Sequence, residues 1–404
     1  MSQSLSRKQL IEAAEEFGTP LYVYHAEKIE EQLHELNKAF KECNAKFFYA
    51  CKSLTNINIL KLMNKLGAGL DCVSINEVKL GLKAGFTPDR ILFTPNCVDF
   101  EEIEAGKLLN VHINIDNISM LERFGNKYGS SYPVFIRLNP HIMAGGNFKI
   151  STGHVDSKFG ISIHQVRHIE RIIKSTGLNV QGLHMHTGSE IKDTNVFIAG
   201  LEIMFEMARQ FPQIEVIDLG SGFKVPYYDD DVRTDVHDLG KKLAQAFTKF
   251  EKESNRKLEI WFEPGKFLVS EAGYFIVKAN VVKTTTATVF AGVNSGFNHL
   301  IRPMFYEAYH RIENLSNPKG AERIYTVVGN ICETDTFAWD RKLNEVREGD
   351  YLVFYNAGAY GFEMSSNFNS RLKPAEVLFK DGKPQLIRKR DEFEDLLRNQ
   401  VEVL

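Results

Sequence analysis

Between residues 46 and 264 short apolar runs alternate with longer stretches of helical periodicity, and this rhythm constrains the fold more than any other feature of the chain. The strand-like runs are 46–50, 70–73, 91–93, HINID at 112–116, VFIRLN at 134–139, GLHMH at 182–186, EVIDLG at 215–220 and LEIWFEP at 258–264. Apolar residues at helical spacing fill 57–66, 75–84, 99–109, 118–127, 164–175, 195–210 and 238–252 between them. Parallel strands must be joined by crossovers, usually helices, and eight such units over roughly 220 residues predict an α/β fold, a (β/α)8 TIM-like barrel. A doubly wound open sheet is the alternative reading of the same rhythm.

After about residue 272 the pattern changes to short β-rich runs broken by Gly, Asp and Asn: GYFIVKANVVKTTTATVFAGV, ERIYTVVGN, GDYLVFYNAGAYG and AEVLFKDGKPQLIRK. This predicts a second, all-β domain of sandwich or Greek-key barrel type. LYVYH at 21–25 lies ahead of the barrel and is a candidate strand of that same domain. The expected division is a barrel over 26–271 and a β domain over 1–25 plus 272–404.

Composition narrows the partner. The 404 residues carry 49 basic and 52 acidic side chains, a net charge of -3, which gives no electrostatic reason to expect nucleic acid or a membrane surface. A small molecule is the expected ligand. The five cysteines, Cys43, Cys51, Cys72, Cys97 and Cys332, form no CxxC pair and no dense framework, so reduced thiols in a cytosol are expected and a structural metal site is not. The opening MSQSLSRKQLIEAAEEF lacks an apolar core, and no run approaches the eighteen or so apolar residues of a membrane span, so a cytoplasmic protein is expected.

In such a barrel the residues at the C-terminal strand ends share one face, where active sites are built. Here those positions hold Lys52, Asp71 with Ser74, Asn96, Asp116, Arg137 with Asn139, His186, Asp218 with Gly220, and Glu263. Three turns of small residues follow the last three strands: HTGS at 186–189, GSG at 220–222 and EPGK at 263–266. Glycine lets backbone N–H groups turn toward an anion, and the last loops of such barrels commonly cradle phosphate. A lysine on the first strand, a phosphate cradle on the last ones and a carboxylate opposite point to pyridoxal 5'-phosphate. Lys52 would bond the cofactor aldehyde, which requires a neutral amine in a partly desolvated place. Glu263 would keep the ring nitrogen protonated, and His186 would stack on the ring face. His184 is expected to point the other way.

Several motifs carry a resemblance. FYACKS (48–53), GLDCVSINE (69–77), RLNP (137–140), SKFGI (157–161), HMHTGSE (184–190), DLGSGF (218–223), EPGK (263–266), CET (332–334) and NAGAYG (356–361) resemble the fold type III, alanine-racemase-like pyridoxal-phosphate decarboxylases. FNHLIRPMFYEAYHRI at 297–312 and GAYGFEMSSNFNSRLKPAEVL at 358–378 are similar to the diaminopimelate decarboxylase branch. The resemblance runs from about residue 18 to about 380. It implies decarboxylation of meso-2,6-diaminopimelate to L-lysine and CO2 by a two-fold dimer.

The resemblance also implies roles. Lys52 bonds the cofactor, Asp71 lies near the ring, His186 stacks on it and Glu263 partners its nitrogen. Ser189, Gly220, Ser221, Gly222, Gly265 and Tyr360 contact the phosphate. Arg302 and Tyr306, with Tyr360, hold the far end of the substrate, and Glu333 reaches its distal ammonium. Cys332, delivered by the β domain of the partner subunit, returns a proton to Cα. The far-end roles agree with the chemistry, since a second carboxylate calls for an arginine fork and a second ammonium for a carboxylate. One position departs: the family usually reads EPGR where this chain has EPGK, so Lys266 meets the substrate carboxylate or the phosphate without bidentate geometry. ICETDTF also differs from the usual form, although Cys332 and Glu333 stand in place. The alternatives are a decarboxylase of ornithine, arginine or carboxynorspermidine, an amino acid racemase, or a non-catalytic homologue.

Overall fold

The computed structural model of the chain describes residues 4–142, 157–228 and 230–404, which group into two compact units. One comprises Gln32–Val225 and Val232–Phe267, the other Met1–Glu31, Pro226–Asp231 and Leu268–Leu404.

In the first unit eight parallel strands close into a barrel: β1 Lys46–Ala50, β2 Gly69–Cys72, β3 Ile91–Phe93, β4 His112–Ile115, β5 Val134–Asn139, β6 Val180–His184, β7 Val216–Asp218 and β8 Glu259–Phe262. Each pairs with the next in sequence, and β8 returns to β1 through Trp261 opposite Lys46 and Phe262 opposite Phe47. Closure excludes the open doubly wound sheet. A two-residue strand, Ile161–Ser162, adds to the end of β5.

The intervening helices start where the sequence supplies a cap. Asn56, Ser74, Asp99, Asn117, Asp193 and Asp235 each accept a hydrogen bond from a backbone N–H of the first helical turn. Each such cap stabilises its helix by about 1 kcal/mol. Ser74 and Asn117 lie two residues beyond their strand ends, so they also set where the chain leaves the C-terminal face of the barrel.

Inside the barrel, alternation divides each strand into two levels. Phe48, Leu92, Phe135, Val216 and Trp261 form an apolar layer, with the Phe48 and Trp261 rings stacked at 4.4 Å between centroids and Phe135 at 5.1 Å from Trp261. Residues two positions on share the same face of a strand. They are Ala50, Thr94, Arg137, Asp218 and Glu263, so the packed layer carries a polar one directly above it.

The second unit is mostly strands, joined in one nine-stranded sheet among the described residues. Leu21–His25 does lie within it, antiparallel to Gly273–Thr284 and parallel to Ala375–Lys380. The capped helix Arg7–Phe17 packs Leu10, Ala13 and Ala14 against Leu21, Val23, Ile276 and Val377, so this unit is not purely β. No helix among the described residues is long and apolar enough to cross a membrane.

Candidate functional site

Lys52 stands in the single turn Cys51–Ser53 after β1, and its Nζ lies 2.8 Å from Asp71 Oδ2 on β2. Asp71 is buried, and burial pushes its carboxyl above the ordinary carboxylate range; Glu263 adds to that rise while Lys52 opposes it. Asp218 is also buried and held high, first by burial and then by the Glu263 charge, although Gly220 N–H donates to its Oδ1 at 2.8 Å.

Glu263 differs from these two neighbours. Burial acts to raise its carboxyl as well, but the charge and hydrogen bond of His184, with the charge of Lys52, outweigh burial and bring it down to about 2. His184 Nε2 lies 3.2 Å from Glu263 Oε2. The other oxygen, Oε1, is buried with no protein hydrogen-bond partner. Of three buried carboxyls at neighbouring strand ends, those of Asp71 and Asp218 are thus raised while that of Glu263 is lowered, chiefly by His184.

The expectation for His184 is therefore corrected. It is fully buried and faces the same interior as Glu263. Residues two apart on an extended chain share a face, so His184 and His186 were never on opposite sides, and the spacing HxH was the available signal. His186, in the turn just past β6, accepts the Ser221 N–H on Nδ1 at 3.2 Å. Desolvation first, and the Arg137 charge second, bring its imidazole down to about 3, so it is a neutral ring with its proton on Nε2.

Two turns meet beside that ring. Gly220 has φ +62° and Gly222 φ +125°, and a Cβ would approach Met185 O to 2.8 Å at Gly220 and Gly188 O to 2.6 Å at Gly222. Only glycine fits such a backbone and such an approach. Ser189 ends the HTGS turn, Ser221 lies between the two glycines, and Gly265 lies in the turn after β8. Lys266, from that third turn, reaches back to Ser189 Oγ at 3.2 Å and Glu190 Oε1 at 2.9 Å.

The donor set fits pyridoxal phosphate. An ionised carboxylate with one unpartnered buried oxygen suits a protonated ring nitrogen, a neutral imidazole suits the ring face, Lys52 suits the aldehyde, and glycine-rich turns suit the phosphate.

The remaining sequence-selected residues lie in the second unit. Arg302 is buried, donates from an Nη to Tyr227 Oη at 3.1 Å, and lies 5.6 Å from the Tyr227 ring and 5.9 Å from the Tyr306 ring. Its Nε is buried without a protein partner. Cys332 and Glu333 are exposed, with the Cys332 N–H donating to Asn369 Oδ1 at 2.9 Å. Tyr360 holds φ +55°, a left-handed backbone rare outside glycine and concentrated at functional sites. Tyr227 and Glu190 were not singled out by the sequence, although Glu190 closes the HMHTGSE run, because their partners Arg302 and Lys266 lie 75 and 76 residues away.

A family model described as pyridoxal-dependent decarboxylase, pyridoxal binding domain, matches residues 26–270. A diaminopimelate decarboxylase of Methanothermobacter thermautotrophicus is 37% identical, covering 96% of this chain and 93% of the relative. A crystal structure of diaminopimelate decarboxylase superposes with a TM-score of 0.90 at 32% identity, covering 98% of this chain and 96% of that one. Another, from M. jannaschii in co-complex with L-lysine, gives 0.89 at 33% identity, covering 97% and 94%.

Proposed function

The chain belongs to the pyridoxal-dependent decarboxylases and, within them, to the diaminopimelate decarboxylases, and we propose the residue roles by which it converts meso-2,6-diaminopimelate into L-lysine and CO2. Bound pyridoxal phosphate supplies an aldehyde that takes up the substrate amine and a protonated ring that accepts the electron pair left when the bond from Cα to the carboxylate breaks.

Lys52, whose amine lies beside Asp71, would hold the cofactor through its aldehyde. Glu263, kept ionised by His184, holds the proton on the ring nitrogen through Oε1. His186 packs its neutral ring against the cofactor face. Ser189, Gly220, Ser221, Gly222, Gly265 and Tyr360 take the phosphate. Arg302, oriented by Tyr227, binds the carboxylate at the far end of the substrate with Tyr306 and Tyr360, and Glu333 takes the distal ammonium. Lys266 acts at the anionic end of the site. Cys332 returns a proton to Cα. The single observation that supports this reading is Glu263: this buried carboxyl is brought down to about 2 where burial raises Asp71 and Asp218, and one of its oxygens is left without a protein partner.

The working unit in this reading is a cytoplasmic homodimer whose barrel, residues 26–271, binds cofactor, and whose β domain, 1–25 plus 272–404, supplies Cys332 to the partner's site. Turnover of meso-2,6-diaminopimelate, ornithine and arginine, measured side by side by CO2 release and product identity, tests the substrate. Lysine should form from the first alone, since leaving Arg302 without a carboxylate disfavours the others by on the order of 2–4 kcal/mol. Comparable release from ornithine would refute it. Refolding Lys52→Ala with Cys332→Ala tests the shared site: about a quarter of the parent activity should return by random pairing of a two-fold dimer. No return, with mixed dimers present, sinks it.

A further inference from the structure

The turns HTGS, GSG and EPGK come from three different strands, and something must hold them in register if they are to act on one phosphate. Two are joined through backbone. Ile191 N–H donates to Gly222 O at 2.9 Å, Ser221 N–H donates to His186, and a Gly222 side chain of any kind would strike Gly188 O. The third turn meets the second through backbone, Glu263 N–H donating to Gly220 O at 2.6 Å, and meets the first through a side chain. Lys266 is nearly buried, at 9% exposure, and its Nζ lies between Ser189 Oγ and Glu190 Oε1. Glu190 itself holds φ +64°, a left-handed backbone that a glutamate adopts only where surrounding contacts impose it.

We propose that Lys266 is a positioning residue for the phosphate cradle: by pairing with Glu190 it neutralises a carboxylate beside the phosphate and holds the Ser189 hydroxyl in place. This rests on the cofactor site proposed above and deepens it. The reasoning is electrostatic. A carboxylate next to a dianionic ligand repels it, and partly buried charges are screened less than exposed ones. The ammonium cancels that charge while its remaining donor capacity goes to Ser189. An arginine in this place would present a wider fork, whereas a lysine makes a compact point contact suited to one carboxylate oxygen and one hydroxyl.

The inference predicts coupling between two residues and dependence on the phosphate group. The parent protein is first reduced with borohydride in the presence of pyridoxal phosphate and mapped; label on Lys52 supports the cofactor site, and label elsewhere overturns that site and this inference together. Equilibrium binding of pyridoxal phosphate and of pyridoxal, which lacks the phosphate, is then measured for the parent, Lys266→Met, Glu190→Gln and the double variant, with melting curves to show that each is folded. Lys266→Met should weaken pyridoxal phosphate by on the order of tenfold or more and leave pyridoxal unchanged. Adding Glu190→Gln should restore at least about threefold of that loss, because the exposed carboxylate is gone. Lys266→Gln, which keeps a donor for Ser189 but carries no charge, should also weaken pyridoxal phosphate and not pyridoxal, and serves as the second variant where Lys266→Met fails to fold. Unaltered binding of pyridoxal phosphate by Lys266→Met, with a raised KM for diaminopimelate, would overturn the inference and assign Lys266 to the substrate. Equal weakening of pyridoxal and its phosphate would overturn it as well.

Discussion

The two interior layers of the barrel are built from the same strands two residues apart, yet they do opposite things. The lower layer packs Phe48, Leu92, Phe135, Val216 and Trp261, and its outer rim ends in a Lys46–Glu259 pair at 2.6 Å with the Trp261 indole donating to Glu259 at 3.0 Å. The upper layer buries Asp71, Arg137, His184, Asp218 and Glu263, of which two carboxyls are held above their ordinary range. Burying apolar surface stabilises by about 25 cal/mol per Å², while a buried ionisable group stabilises nothing unless paired. The difference teaches that the polar layer is carried by the packed one: folding free energy gained below offsets what chemistry demands above.

That contrast can be broken from either side. Trp261→Ala removes the largest ring of the lower layer and should destabilise the protein by about 3–5 kcal/mol, while the activity of the fraction still folded stays near the parent's. Urea unfolding together with turnover per folded molecule checks this; a stable but inactive variant would show that the lower layer takes part in the chemistry.

Glu263→Gln tests the upper layer. The amide cannot hold the ring nitrogen protonated, so kcat should fall by on the order of 10²–10³-fold while cofactor absorbance and melting temperature stay close to those of the parent. Parent-like turnover would remove Glu263 from its role.

The smallest effect concerns Asp218, whose carboxyl is raised by burial and by Glu263. A carboxyl with a raised folded pKa contributes stability that is fully present below the unfolded pKa, about 3.9, and is lost as pH rises toward the folded pKa. Asp218→Asn keeps an oxygen for the Gly220 N–H and has no charge to bury, so it should melt with the parent near pH 4 and above it from there upward. A constant gap across pH 4–8 would mean that Asp218 is not strained by its charge.

Much of this was legible in the chain. Eight apolar runs with capped helices between them specify a barrel because the two periodicities are local, and the glycine turns and Lys52 could be assigned to one face because a parallel barrel places all C-terminal strand ends together. The motifs around Lys52, His186 and Glu263 pointed to a pyridoxal phosphate enzyme, and the comparisons bear that out.

What local pattern could not supply was which groups pair. His184 and Glu263 are 79 residues apart, Lys266 and Glu190 76, and Arg302 and Tyr227 75. Cys51 and Cys72, scattered in the chain, come side by side with Glu77, their ligand atoms within 4.8 Å. The sequence by itself determined the element order, the interior faces and the residue types that stand at the strand ends. Only the closed barrel decided that His184 faces Glu263, that the Glu263 carboxyl is lowered while those of Asp71 and Asp218 are raised, and that Lys266 is engaged by Glu190. The reason is physical: periodicity is a property of neighbours along the chain, whereas the charge state of a buried group is set by whatever closure brings within a few ångströms of it.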